Sequence, residues 1–314
     1  MTGKVPREQP FHIFVAGVRG ACAGVERAIQ AVEVSLQRFG APVFVRKQIV
    51  HNSTVVERLA RIGAVVVDSV AEVPSGAVVL ISAHGAPPAE LAEAADRGVR
   101  VDDATCPLVT KVHHEIDRYQ QHELPVIIVG HRGHDEVTGH LGRSPAAMVV
   151  DSVQEVADLP DLPKVAYVTQ TTLSVDDTWT ITEAIKAKFV DVEEPRGSDI
   201  CYATQNRQAS VRELAEHGCD LIVVVSDTTS SNGNRLVEVG ASMGCATAMI
   251  ADATQVNQAL VRGARNVGVT GAASTPLTVI DEVIKALVAI GGDKVTTLAA
   301  APETVVFGLP EELR

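Results

Sequence analysis

Aromatic side chains are scarce: one Trp, three Tyr and six Phe make up 3% of 314 residues. Few platforms exist for stacking on nucleic-acid bases. Positive charge is also in deficit, with 27 Lys and Arg against 39 Asp and Glu and a formal net charge of −12. That balance argues against nucleic acid and anionic membrane surfaces as partners. A phosphate ligand stays open, because helix N-termini and a few His or Ser side chains can bind one locally. No apolar run reaches the length of a bilayer span. The opening MTGKVPREQPFH lacks the apolar stretch of a secretory signal, so a cytoplasmic location is expected. VAGVRGACAG does not have the GxGxxG spacing of a dinucleotide loop. There is no CxxC pair. Five cysteines, an odd number without dense spacing, suit a reducing compartment and metal or redox use instead of a disulfide framework.

What is present is an alternation of short apolar runs and helical patterns. Residues 1–10 read as a loose polar tail and FHIFVAG as a buried strand. Val25, Ala28, Ile29, Val32 and Leu36 then fall at helical spacing until Gly40 and Pro42. PVFVRKQIV, AVVV, AVVLISAHG, PVIIVGH, VAYVTQTTLS, LIVVVS, ATAMIAD and VGVTGAAS read as strands with helices between them. VEEPRGSDIC reads as a connector and VVFGLP as a last strand. TPLTVIDEVIKALVAIGG reads as a long helix capped by Thr275 or Ser274 and ended by Gly291. Such alternation predicts an α/β protein with parallel sheets and crossover helices. An apolar content of 46% is enough for a real core, and no linker is rich enough in Pro, Gly or Ser to separate floppy domains.

Three of the cysteines occupy one kind of position, the hand-over from a strand or loop to a helix. Cys22 follows HIFVAG, Cys106 follows VRVDDAT and Cys201 follows the Asp-Ile pair, with separations of 84 and 95 residues. Each leads to a second marked position, His51, His134 or Ser230, after 29, 28 and 29 residues. A third position closes another apolar run: His84, Thr171 and Ser274, at offsets of 62, 65 and 73. Three repeated units are therefore expected to share one centre, with polar groups beyond the carboxyl ends of parallel strands. Three thiolates leave a coordination position for substrate, which marks a catalytic metal centre over a structural one. Cys219 and Cys245 lack the pattern and read as structural, as do His12, His113, His114, His122, His140 and His217, or as exposed.

The segments RGACAGVERAI, VHN, SAHG, DATCPLVTKVH, GHRGHDEV, TQTTLSVDDT, DICYATQNRQ, SSNGNRL and VVFGLPEEL, taken in order, resemble the 4-hydroxy-3-methylbut-2-enyl diphosphate reductase (LytB) family. The resemblance spans nearly the whole chain. It implies three small α/β domains with mostly parallel sheets in a pseudo-threefold, trefoil-like arrangement around a central iron–sulfur cluster. The expected units are 24–106, 107–197, and 1–23 together with 198–314. By motif position, Cys22, Cys106 and Cys201 would hold one 4Fe-4S cluster, whose fourth iron takes the substrate hydroxyl. The substrate-binding set would be His51, His84, His134, Thr171, Thr172, Ser230, Ser231, Asn232 and Ser274. Glu136 would deliver protons and Thr171 would lie next to the substrate hydroxyl, with His134 the third catalytic residue; His131 competes with His134 within GHRGH on residue type alone.

The implied activity is reductive dehydroxylation of 4-hydroxy-3-methylbut-2-enyl diphosphate to isopentenyl and dimethylallyl diphosphate, the last step of the non-mevalonate isoprenoid route. An external ferredoxin or flavodoxin would supply the electrons. Neither nucleic acid nor a membrane is an expected partner. The chain departs from the family pattern at Val18, Ala21, the TGAAS stretch 270–274 and Gly233. No proposed ligand or proton donor is lost. The departures leave room for a paralogue acting on another allylic diphosphate. Three thiols could also serve an iron–sulfur redox sensor or a zinc hydrolase.

Overall fold

The computed structural model describes residues 10–314. The expected tail lies almost wholly on residues 1–9, outside the described residues. The chain divides into two compact units: one takes Gln205–Thr304 with the described residues up to Ala21, the other Cys22–Thr204 with Val305–Arg314. The expected boundaries had kept residues 305–314 with the unit containing 198–304.

The larger unit carries two four-stranded parallel sheets. In the first, β2 (Val43–Arg46), β3 (Ala64–Val67), β4 (Val78–Ile81) and β5 (Arg100–Asp103) lie in the order β3-β2-β4-β5. In the second, β6 (Val126–Val129), β7 (Met148–Val150), β8 (Lys164–Thr169) and β9 (Asp191–Glu193) lie in the order β7-β6-β8-β9. The smaller unit has one five-stranded parallel sheet of β1 (Phe11–Val15), β10 (Leu221–Val225), β11 (Ala246–Ile250), β12 (Asn266–Gly271) and β13 (Gly292–Thr297), ordered β11-β10-β12-β1-β13.

The same rule generates all three sheets: second strand, first, third, then a fourth. In the smaller unit β1 takes the fourth place. Direction reverses between the first and third strands, and the crevice beyond their carboxyl ends is where ligands gather in such sheets. Those central strands are buried on both faces, VIIV in β6 and LIVVV in β10 being buried throughout, as parallel sheets covered by helices require.

The α-helices are α1 (Ala23–Phe39), α2 (Ser53–Arg61), α3 (Pro88–Asp96), α4 (Pro107–Gln121), α5 (Asp135–Arg143), α6 (Val153–Ala157), α7 (Val175–Lys188), α8 (Tyr202–Glu216), α9 (Ser231–Ser242) and α10 (Leu277–Ala289). Helix α1 buries Ala28, Ala31, Val32 and Ser35 and stops where the Gly40 N–H bonds Leu36 O at a φ of 78°. None of the helices among the described residues is long and apolar enough to cross a membrane.

Three local expectations are corrected. VVFGLP forms no strand; its Leu309, with Leu313, packs against the core of the first sheet, and Arg27 Nε donates to Gly308 O at 2.8 Å. The last strand is β13, an edge strand of sequence GDKVTT whose polar, mostly exposed side chains gave no apolar signal. VEEPRGSDIC is not wholly a connector, since its first residues complete β9. Helix α10 is preceded by Pro276 without a side-chain cap, because the Thr275 hydroxyl donates instead to Val225 O at 2.7 Å.

Candidate active site

Two of the three repeated cysteines are N-cap residues, Cys22 of α1 and Cys106 of α4, and Cys201 immediately precedes α8. All three are free and half-buried. Gly24, in the first turn of α1, keeps room for two of them. A Cβ there would lie 2.7 Å from Cys106 Sγ and 3.8 Å from Cys22 Sγ. Cys201 Sγ accepts from Thr204 N at 3.3 Å and lies 3.2 Å from Thr204 Oγ1.

Burial pushes the Cys106 thiol up to about 12 and the Cys201 thiol up to about 11, with the neighbouring thiols adding to the rise. Thiols so placed ionise when a metal takes the proton's place. Among the described residues, the one group of three ligating atoms lying within 4.8 Å of one another is His51, His84 and Asp135. The donor type and the approach of two of the thiols at Gly24 fit an iron–sulfur cluster.

Glu136 is 1% exposed, on the first turn of α5. Thr171 N donates to its Oε1 at 2.7 Å and Thr171 Oγ1 to its Oε2 at 2.9 Å. His140 Nε2 lies 3.5 Å from Oε1. Burial pushes the carboxyl up, but His140, His134 and the Thr171 N–H together outweigh it and hold the group below the ordinary carboxylate value. Thr171 also joins this pair to the thiols, since its carbonyl accepts from Cys201 N at 3.1 Å. Thr172 Oγ1 accepts from Gln170 Nε2 at 2.9 Å, and Gln170 Oε1 in turn accepts from His131 N.

His51 follows β2, His84 follows β4 and His134 caps α5 after β6. Their rings meet, with His51 and His84 stacked at 4.3 Å and His134 edge-on to both at 5.6 and 5.7 Å. Burial, the neighbouring imidazoles and Arg46 hold His84 well below its usual value; burial likewise lowers His134. Arg46 is 2% exposed and bidentate to Glu90 at 2.6 and 2.8 Å. A buried guanidinium beside neutral imidazoles favours an anionic ligand over a cation. His131 stands apart, half-exposed and 3.9 Å from Asp151.

In the smaller unit, Ser230 caps α9 after β10 and its Oγ accepts from Gly233 N at 3.1 Å. Ser274, after β12, lies 3.5 Å away, oxygen to oxygen. Asn232 Oδ1 accepts from Ala273 N at 2.8 Å, while its buried Nδ2 has no hydrogen-bond partner among the described residues. Ser231 opens α9. A helix N-terminus flanked by two hydroxyls and a buried amide donor can hold a phosphate oxygen. Gly233, a departure from the family pattern, is required here because a Cβ would overlap the Ser226 side chain.

In all three sheets, then, groups beyond the first and third strands meet: His51 with His84, Glu136 with Thr171, Ser230 with Ser274. Three residues were missed from sequence. His140 and His113 are buried, at 0% and 3% exposure, beside Glu136; the i, i+4 spacing of Glu136 and His140 on one helix was the available signal. Gly24 was the third, and a glycine next to a cysteine carries no signal without the partner thiol's position.

Residues 13–288 match the family model described as LytB protein. The 4-hydroxy-3-methylbut-2-enyl diphosphate reductase of Neisseria meningitidis serogroup C (strain 053442) is 48% identical over 308 residues, covering 96% of this chain and 95% of that protein. The 4-hydroxy-3-methylbut-2-enyl diphosphate reductase 2 of Bradyrhizobium diazoefficiens is 49% identical over 306 residues, covering 96% and 99%. Among solved structures, the E-1-hydroxy-2-methyl-but-2-enyl-4-diphosphate reductase of Plasmodium falciparum superposes with a TM-score of 0.93 at 31% identity, over 98% of this chain and 97% of that one. With matches of this length in sequence and in structure, the chain belongs to the LytB family.

Proposed function

We infer that this chain is a 4-hydroxy-3-methylbut-2-enyl diphosphate reductase. The reaction replaces the allylic C–O bond with C–H: ROH + 2 e⁻ + 2 H⁺ → RH + H₂O, where RH is isopentenyl or dimethylallyl diphosphate. Cys22, Cys106 and Cys201 are the residues that would hold a 4Fe-4S cluster, which when bound supplies the electron path and a Lewis acid for the hydroxyl oxygen.

This chain's residues do the rest. Thr171 hydrogen-bonds Glu136 through both backbone and hydroxyl, fixing the carboxylate. Because its neighbours favour the ionised form, Glu136 delivers protons that it receives from a donor, and the arriving negative charge of a diphosphate favours its protonated form. His51, His84 and His134 donate to the diphosphate, as do Ser230, Ser231, Asn232 and Ser274; Thr172 adds a further hydroxyl beside Thr171. Such hydrogen-bonding groups suit a phosphate ligand in a chain short of Lys and Arg.

The observation that carries the reading is Thr171, which accepts from the backbone of a cluster cysteine and donates to the buried acid. Electrons would come from an external ferredoxin or flavodoxin, and the setting would be the cytoplasm. The test is anaerobic, reductant-driven turnover of 4-hydroxy-3-methylbut-2-enyl diphosphate by the cluster-loaded protein and its Glu136→Gln variant. Turnover by the wild type that collapses in the variant, with the cluster spectrum intact, is the expected result. A fully loaded wild type that leaves the substrate untouched refutes the assignment.

A further inference from the structure

We propose that His140 is the proton store that recharges Glu136. The proposal rests on the reading of Glu136 as proton deliverer and names where its proton comes from.

Each turnover consumes two protons, and one carboxyl group carries one. His140 sits one helical turn after Glu136, fully buried, with Nε2 3.5 Å from Glu136 Oε1. Its Nδ1 is buried and has no hydrogen-bond partner among the described residues. Nε2, though nearest the Glu136 carboxylate, likewise makes no hydrogen bond among the described residues, so this buried imidazole has a proton place to spare. Behind it stands His113, edge-on with ring centroids 5.2 Å apart, whose Nε2 also lacks a hydrogen bond among the described residues.

Space for His113 is kept by two glycines. A Cβ at Gly85, where φ is +82°, would lie 2.8 Å from His113 Cε1, and a Cβ at Gly139 3.4 Å from its Nε2. The titratable and charged groups facing His140 are Glu136, His134 and Arg143 on its own helix, His113 on α4, and Asp199 on the segment before Cys201. Arg143 is turned to Asp117 at 2.8 Å. Glu136 is thus the carboxylate in contact with His140.

The transfer is from His140 Nε2–H to Glu136 Oε1, leaving a neutral imidazole and a carboxylic acid. His140 acts through Glu136 and is a positioning and proton-holding residue. A purely structural histidine at this place would be replaced without loss by glutamine, which keeps a donor near Glu136 but cannot carry a proton.

Two readouts on the full, cluster-loaded protein test this. The first compares wild type with His140→Gln and His140→Asn across pH. The expected result is a kcat lower by about 100-fold with KM little changed, and an alkaline limb moved to lower pH. The second is an infrared titration of ¹³C-glutamate-labelled protein, with the Glu136 carboxyl band assigned by its loss in Glu136→Gln. The band should appear in wild type only below the ordinary carboxylate range, and at higher pH in His140→Gln.

Unchanged kcat and pH profile in His140→Gln overturn the proposal. So does a wild-type Glu136 that protonates at or above the ordinary range, a measurement that stands even where the variants do not fold. A wild type without turnover overturns the functional reading instead, while the infrared titration still decides whether the pair shares a proton.

Discussion

Replacing Gly24 with alanine should empty the thiol centre. Gly24 lies in the first turn of α1 with right-handed backbone, since its φ is outside the positive range. Alanine there costs the backbone nothing and would ordinarily stabilise a helix by about 0.5–1 kcal/mol. The new Cβ, however, would stand 2.7 Å from Cys106 Sγ. To regain an ordinary contact of about 3.5–4.0 Å the sulfur must retreat by about 1 Å. Metal–ligand distances tolerate about ±0.2 Å, so the displaced thiol leaves the ligand set. Iron and acid-labile sulfide per chain after anaerobic reconstitution should drop steeply in Gly24→Ala. The metal-free protein should lose about 1–3 kcal/mol in urea unfolding from overpacking. A Gly24→Ala protein that loads a full cluster and unfolds at higher urea than wild type would refute the reasoning.

The two remaining cysteines should be dispensable: Cys219→Ala, buried in the core under the smaller unit's sheet, should leave the iron content unchanged and cost about 1 kcal/mol in urea unfolding. Glu90→Gln strips the carboxylate from Arg46, whose side chain is 3% exposed. Since Glu90 itself is 22% exposed, a loss of about 2–3 kcal/mol, seen as a lower thermal midpoint, is expected after discounting for solvent. His113 is neutral when folded, its pKa pushed down to about 3 by burial, His140 and Arg143 from a reference of 6.5. The unfolded chain therefore takes the proton first. Stability is full above the unfolded value and is lost as pH falls towards the folded one, at about 1.4 kcal/mol per unit, or about 2 kcal/mol by pH 5. Urea midpoints at pH 7 and pH 5 check this, and a midpoint that rises on acidification would reverse the assignment.

The thiols and the polar positions were legible because each sits where one element hands over to the next, and such joins leave marks in the chain: an apolar run, a cysteine, then a helical period. The common strand order of the three sheets was not legible. It depends on β9 and β13, three and six residues long with half-exposed or exposed faces. VVFGLP misled for the opposite reason, since apolar side chains can be satisfied by packing on a neighbouring core without any strand pairing. The burial of His140 was not legible, because burial is a property of what covers a helix, and α5 is a nine-residue helix whose cover comes partly from α4; only its i, i+4 spacing from Glu136 left a mark.

The positions chosen for function also carry a cost in stability. Cys22 and Cys106 occupy N-caps yet make no side-chain cap hydrogen bond, where serine or aspartate would contribute about 1 kcal/mol each. His134 and Ser230 do cap their helices, through Glu136 N at 3.2 Å and Gly233 N at 3.1 Å, so the groups proposed to bind the anion are oriented by the helix starts they satisfy. The difference follows from the ligand. A phosphate oxygen is bound by donors, and a side chain that caps one N–H leaves the next N–H groups free to point outward. At Cys22 and Cys106 the proposed metal role keeps the sulfur lone pairs free and the cap is forgone, whereas Cys201 Sγ still accepts from Thr204 N at 3.3 Å. Cys22→Ser would test that trade: it should raise the unfolding midpoint of the metal-free protein by restoring a cap to α1, while abolishing cluster loading. A serine variant no more stable than wild type would mean that Cys22 was chosen at no cost to the helix.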